Sequence, residues 1–190
     1  MGKINVIETK IRDLVIIEPQ VFGDERGYFL ESYSEQDFKE AGLNMKFVQD
    51  NESRSKKGVL RGLHFQTKHT QGKLVRVVEG EVYDVGVDLR DGSPTYGQWE
   101  AVMLTATNKR QFYVPEGFAH GFLVVSDFAT FQYKCTDYYA PEYDSGILWN
   151  DKTINIDWPL DGIEEVLLSE KDKQQQSFVD FRAKPSVFKY

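Results

Sequence analysis

The sequence predicts an all-β sandwich or barrel, on three observations. Tyr83, Val85, Val87 and Leu89 alternate with Asp84, Gly86 and Asp88, the period-two pattern of a strand with one apolar and one polar face. Short apolar runs recur along the chain with turn signals between them, the spacing expected of a sandwich or barrel. Segments of helical period are scarce.

In chain order, strands are expected over Leu14 to Glu18, Tyr28 to Tyr33, Lys73 to Val78, Tyr83 to Leu89, Glu100 to Thr105, Gln111 to Val114, Gly121 to Val125 and Thr130 to Thr136. Turn signals stand at Gly23-Asp24, Glu79-Gly80, Asp91-Gly92-Ser93-Pro94, Thr107-Asn108 and Pro115-Glu116-Gly117. The alternating segment at Tyr83 is expected to pack on one side only. A helix is expected from Ser34 to Ala41, with Ser34 as cap, Asp37 at the third helical position and Gly42 as terminator. A second starts near Ser169, where Glu170 and Asp172 fall in the first turn. The more polar tail from Asp161 to Tyr190 is expected to wrap the sheet. No repeat, low-complexity tract or linker divides the chain, so residues 1–190 read as a single domain. A compact chain of this length buries roughly 70% of its unfolded surface, enough for a core without covalent staples.

Composition excludes several function classes. Lys plus Arg total 23 against 30 Asp plus Glu, a net charge of −7, and no basic stripe is present, so a nucleic-acid partner is not expected. No apolar run exceeds four residues, Leu14 to Ile17 being typical, against the roughly 20 that a membrane helix needs. The start, Met1-Gly2-Lys3-Ile4-Asn5, turns polar too early for a secretory signal. Cys135 is the only cysteine, which rules out an intrachain disulfide and a cysteine zinc cage. A cytoplasmic location is the default expectation.

The three histidines differ in their surroundings. His69, in Thr67-Lys68-His69-Thr70-Gln71, reads as a loop residue without a helper. His64 lies in Gly58-Val59-Leu60-Arg61-Gly62-Leu63-His64-Phe65-Gln66, where strict alternation puts Arg61 and Leu63 on one side and Gly62 and His64 on the other. With Lys73 on a neighbouring strand, a base and two cations can share a cavity; spacing alone fits a solvent-facing sheet with scattered charge as well. His120 follows the Pro115-Glu116-Gly117 turn into an apolar strand, where an imidazole is costly unless paired.

These last two segments resemble the cupin motifs. Gly58, His64 and Gln66 match the first, with Gln66 in place of a second histidine, and Pro115-x-Gly117-x-x-His120 matches the second. The acidic ligand of the first motif is also missing, Thr70 and Gln71 occupying its region, so the resemblance implies a cupin-type jelly-roll barrel with a few short peripheral helices, its cavity repurposed and without a metal. A closer resemblance spans nearly the whole chain. Asp24 to Glu31, Gln49 to Ser53, Gly58 to Gln66, Gly72 to Arg76, Asp84 to Arg90, Pro115 to Phe122, Tyr133 to Tyr139, Ile147 to Asp151 and Leu168 to Asp172 are together similar to the dTDP-4-dehydrorhamnose 3,5-epimerase family.

That resemblance implies a cofactor-independent isomerase acting on a dTDP-sugar in dTDP-L-rhamnose biosynthesis. It inverts carbons 3 and 5 of a 4-keto-6-deoxy sugar through an enolate. His64 matches the family's base, Asp172 its partner, Tyr133 the proton donor on the opposite face and Lys73 the cation that stabilises the enolate. His120 and Asp144 are placed beside the sugar, Asp144 standing where many members carry Glu. Arg61 and Lys171 match diphosphate contacts. Arg26, Phe29, Glu31, Gln49, Asn51 and Tyr139 match the nucleotide shell, with Tyr139 as stacking platform. In the family part of this shell, around Arg26 to Glu31, comes from a neighbouring subunit, which implies a homodimer. By residue type alone, Asp172 is equally a helix-capping acid, Tyr133 a wall aromatic among ten tyrosines, and Arg26 and Glu31 solvated strand charges. The rival functions are an epimerase of one carbon only, a catalytically silent sugar-binding cupin and a metal-dependent cupin dioxygenase.

Overall fold

A computed structural model describes residues 4–190. Met1, Gly2 and Lys3, on which the reading of the N-terminus partly rests, lie outside the described residues. The strands are β1 (Ile4–Glu8), β2 (Val15–Pro19), β3 (Val21–Asp24), β4 (Gly27–Leu30), β5 (Gln49–Lys56), β6 (Leu60–Gln66), β7 (Lys73–Glu79), β8 (Glu81–Asp88), β9 (Trp99–Thr105), β10 (Gln111–Val114), β11 (Phe118–Val124), β12 (Phe128–Cys135) and β13 (Asp144–Gly146). Short helices are α1 (Glu35–Glu40), α2 (Glu170–Lys173) and α3 (Phe178–Arg182), with a single 3₁₀ turn at Pro141–Tyr143.

The strands form a six-stranded sheet, β1-β2-β10-β7-β12-β5, and a five-stranded sheet, β13-β6-β11-β8-β9. All named pairings are antiparallel. The two sheets face each other across a core of Val75, Val77, Val82, Val102, Leu104, Phe112, Phe122 and Phe131. This is the double-sheet jelly roll implied by the cupin resemblance.

A second core lies on the outer face of the five-stranded sheet, where Leu60, Leu63, Phe65, Val85, Val87 and Leu123 meet Trp158 and, from the tail, Phe178, Phe181 and Phe188. The tail does wrap the sheet: Leu60 N–H donates to Leu167 O at 3.0 Å and Leu148 N–H to Gln176 O at 2.9 Å. That cover corrects one expectation. β8 is buried on both faces along most of its length, because its apolar side packs on the tail and its polar side faces the barrel interior.

The expected helix at Ser34 forms as α1, with Asp37 N–H donating to Ser34 Oγ at 3.3 Å and Phe38 covering Val15, Ile17 and Leu74. The first turn falls at Glu25-Arg26 rather than Gly23-Asp24, closed by Arg26 N–H to Asp24 Oδ1 at 2.9 Å. The strand expected over Tyr28 to Tyr33 stops at Leu30 and pairs only with β3, in an isolated two-stranded hairpin.

A second correction concerns β6. His120 pairs with His64 but Phe122 pairs with Arg61, so β6 spends one residue more than β11 over this stretch. Such a bulge breaks strict alternation. Leu60 and Leu63 therefore share the tail-covered face, and Arg61 joins His64 on the other. Gly62 makes the approach possible: a Cβ there would lie 2.5 Å from Gly121 Cα.

Candidate active site

Period-two geometry aims one polar set into the barrel. Lys73 continues the inward face of Val75 and Val77; Tyr133 and Cys135 continue that of Phe131. From the opposite sheet, Asp84 follows Val82, His120 precedes Phe122, and His64 faces away from the outer core. Pairings weld the set together: Cys135 opposite Lys73, Tyr133 opposite Asn51, and His64 opposite both His120 and Gly146.

His64 and Asp172, 108 residues apart, meet in a hydrogen bond from Nε2 to Oδ1. This leaves Nδ1 as the His64 ring nitrogen without a protein partner among the described residues. Ser169 caps α2 by accepting from Asp172 N–H at 3.1 Å, and its hydroxyl donates to Asp172 Oδ2 at 2.7 Å. Asp172 is thus both a first-turn acid and the partner of His64. Burial pushes its carboxyl up, but hydrogen bonds from His64, Ser169 and the Gly62 backbone outweigh burial and hold it below the ordinary carboxylate value. It stays ionised at neutral pH, able to stabilise an imidazolium.

Across the cavity, burial pushes the Tyr133 phenol up, Cys135 and Tyr139 act in the same sense, and Arg61 opposes them. The phenol is therefore intact at neutral pH and has a cation close enough to favour its anion. Lys73 is half-buried and has neither an ion pair nor a side-chain hydrogen bond among the described residues. Burial lowers its pKa, while Cys135, Asp144 and Asp84 hold it up. An unpaired ammonium in a desolvated cavity is suited to an oxygen that becomes negative.

A belt of polar contacts rings the mouth. Lys171 Nζ donates to Asp144 Oδ2, and Tyr139 OH reaches the same oxygen at 3.0 Å. Tyr139 N–H donates to Gln49 Oε1 at 3.1 Å, Gln49 Nε2 to Asn51 Oδ1 at 3.1 Å, and Asn51 Nδ2 to Cys135 Sγ at 3.6 Å. Arg61, exposed at the rim, is braced by Ser55 Oγ at 3.1 Å. Gln66 is occupied elsewhere: its Nε2 donates to His69 O and Tyr138 O, and its Oε1 accepts from Ala140 N–H at 2.8 Å. The amide that replaces the second cupin histidine therefore holds loops together. His69, expected to lack a helper, lies 3.3 Å from Asp137 Oδ2 and remains exposed.

Arg26 and Phe29 sit on the β3–β4 hairpin, outside the two main sheets, where Phe29 is 63% exposed and Arg26 pairs with Asp24 of its own turn; Glu31 directly follows β4 and is half-buried. A groove of 1080 Å³ lined by Leu14, Leu43, Met45, Arg90 and Tyr113 contains none of the predicted site residues. Sequence reasoning gave Asp84 no individual role, although it is fully buried and its carboxylate oxygens lie 2.9 and 3.1 Å from His120 Nε2. The available signal was an acid between apolar strand residues facing a histidine in a second apolar strand.

Fold and site together define a cupin-type barrel with histidine–carboxylate pairs on its inner face. The family model described as dTDP-4-dehydrorhamnose 3,5-epimerase matches residues 8–180. A relative of that name from Methanothermobacter thermautotrophicus is 56% identical over 173 residues, covering 91% of this chain and 94% of the relative. Another from Shigella flexneri is 57% identical over 178 residues, covering 93% and 97%. The crystal structure of the Legionella pneumophila dTDP-6-deoxy-D-glucose-3,5-epimerase in complex with dTDP-4-keto-L-rhamnose is similar with a TM-score of 0.91 and 53% identity, covering 98% of each chain. The chain belongs to the dTDP-4-dehydrorhamnose 3,5-epimerase family.

Proposed function

We propose that this protein is a dTDP-4-dehydrorhamnose 3,5-epimerase, converting dTDP-4-dehydro-6-deoxy-D-glucose to its 3,5-inverted product on the way to dTDP-L-rhamnose. The observation that carries the residue roles is the His64–Asp172 pair facing Tyr133 across the barrel. Carbons 3 and 5 flank the ketone. Loss of either proton sends the electron pair to the carbonyl oxygen and flattens the carbon into an enolate. Inversion then requires a base on one face and a donor on the other. His64 comes from the five-stranded sheet and Tyr133 from the six-stranded sheet, which supplies that opposition.

In this reading His64 Nδ1 takes the proton, Lys73 stabilises the enolate oxygen, and Tyr133 returns a proton from the far side. Asp144 and His120 hold the sugar. Arg61 and Lys171 take the diphosphate, with Gln49, Asn51 and Tyr139 around the nucleoside. Neither epimerisation changes oxidation state, so the reaction as written calls for no redox partner. Incubation with dTDP-4-dehydro-6-deoxy-D-glucose and a downstream reductase should trap an L-rhamnose product; a product inverted at one carbon only would restrict the activity to a mono-epimerase. Tyr133→Phe should lower inversion about a hundredfold while hydrogen exchange with solvent persists, because abstraction remains and directed reprotonation is lost. Unchanged inversion would remove Tyr133 as the donor.

The reading extends to a two-fold dimer in which the β3–β4 hairpin of one protomer brings Arg26, Phe29 and Glu31 to its partner's nucleotide site. In support, the hairpin joins neither main sheet and exposes Val21, Phe22, Tyr28 and Phe29 by 43%, 40%, 62% and 63%. Light scattering should give twice the chain mass, and Phe29→Asp should raise KM at least about tenfold while weakening the dimer. A fully active monomer would overturn it. A cytoplasmic location fits the single cysteine, buried and unpaired, as expected in a reducing compartment.

A further inference from the structure

His64 and His120 are cross-strand partners, and each gives Nε2 to a buried carboxylate on a different element: Asp172 on α2 for His64, Asp84 on β8 for His120. Asp84 is the more enclosed acid, with no exposure at all. Both of its oxygens lie within hydrogen-bond reach of Nε2, so an ionised Asp84, which can only accept, bonds to a proton held on that nitrogen. The His120 ring is also fixed in plane by Phe131, stacked at 6.2 Å and 21°. No buried side-chain nitrogen or oxygen among the described residues lacks a partner. His120 Nδ1 has no hydrogen-bond partner among the described residues and yet is not a fully enclosed orphan, so it is the ring nitrogen free to meet a ligand. A fully buried acid is costly even when paired.

We propose that Asp84 is a positioning residue of the epimerisation: it locks His120 with Nε2 protonated and Nδ1 presented to the sugar, and it is the facing counter-charge of Lys73. The inference rests on the proposed function. Asp84 stands on the sheet opposite Lys73 and raises that ammonium's pKa against the effect of burial, together with Cys135 and Asp144, while Lys171 acts the other way. Its own carboxyl is pushed up by burial, an effect that His120 and Lys73 both oppose. Asp84 thus joins two groups that the reaction uses, one beside it and one across the cavity.

The two roles have separable signatures. With Asp84→Asn the Lys73 ammonium loses one facing anion, so it deprotonates at lower pH and the alkaline limb of the kcat profile moves to lower pH. The expected loss in kcat at the optimum is about tenfold to a hundredfold, as for other groups that orient a working histidine, with KM changed little. The histidine role is read directly by ¹⁵N NMR of histidine-labelled protein, since His64, His69 and His120 are the only three histidines and single substitutions assign them. The wild-type His120 signals should report a proton on Nε2, and Asp84→Asn should alter His120 while leaving His69 unchanged.

An unmoved pH profile and wild-type kcat in Asp84→Asn would overturn the inference. So would a bare Nε2 on His120 in the wild-type protein, a readout that stands even if the variant fails to fold. Failure of the proposed function is distinguishable, because it appears as absent epimerisation by wild-type protein while the NMR signature is independent of turnover.

Discussion

His64→Ala is expected to lower kcat by about a thousandfold or more, the upper range for a positioned general base. The carbon acid beside a ketone is weak, and the His64 ring is backed by a carboxylate that its hydrogen bonds hold ionised at neutral pH. The ring is 29% exposed and belongs to neither apolar core, so its removal should leave the fold in place. Affinity for dTDP should stay within a few-fold, since the nucleotide contacts proposed for Arg61, Lys171 and Tyr139 do not involve the His64 ring. Calorimetric titration with dTDP beside steady-state turnover separates the two effects. Turnover within tenfold of wild type would assign proton abstraction to another group.

Asp172→Asn should be nearly as damaging, about a thousandfold in kcat, by the reasoning that governs a triad aspartate. The carboxylate accepts from Nε2 and so leaves Nδ1 bare. An amide in its place can donate to Nε2, which moves the ring proton to Nδ1 and removes the base. It also loses the charge that balances the imidazolium. The isosteric change spares the Ser169 cap, where Asp172 contributes its backbone N–H, so α2 should survive. Near-ultraviolet circular dichroism checks the fold while kcat reports the chemistry. Activity close to wild type would reduce Asp172 to a helix-capping acid.

Much of the fold was legible because its strands obey period two. Lys73–Glu79, Glu81–Asp88 and Gln111–Val114 carry branched or aromatic residues on one face at least, and the turns between them are rich in Gly, Asp and Pro. β5 escaped, since Gln-Asp-Asn-Glu-Ser-Arg-Ser-Lys has no apolar residue at all; it is a strand because β12 supplies its hydrogen bonds along the whole length. Side assignment failed twice, because alternation shows neither what covers a sheet nor where a bulge shifts its period. The tail buries the outer face of β8, and the bulge in β6 moves Arg61 to the side of His64.

The site was legible only in part. Lys73 and Tyr133 stand on the inner face of one sheet and His64 and His120 on that of the other, with Asp172 bonded to His64; the roles given to them remain those proposed. The tail expected to wrap the sheet does so, held at Leu167 and Gln176 by hydrogen bonds from Leu60 and Leu148, and this brings Asp172 to His64. Asp84 carried no local signal beyond an acid in an apolar strand. The Asp144–Lys171 and Tyr139–Gln49–Asn51 contacts depend on loops whose geometry no pattern encodes. Arg26 and Phe29 lie exposed on a hairpin outside the main sheets, and the nucleotide role proposed for them depends on a second copy.

The central claim is that one cavity deprotonates both carbons beside the ketone from one face and reprotonates them from the other. Incubation of the wild-type protein with dTDP-4-dehydro-6-deoxy-D-glucose in deuterium oxide, followed by proton NMR of the sugar, tests it most directly. The account predicts deuterium at both carbon 3 and carbon 5, with inversion at each. Exchange at neither carbon, or inversion without exchange, would contradict it.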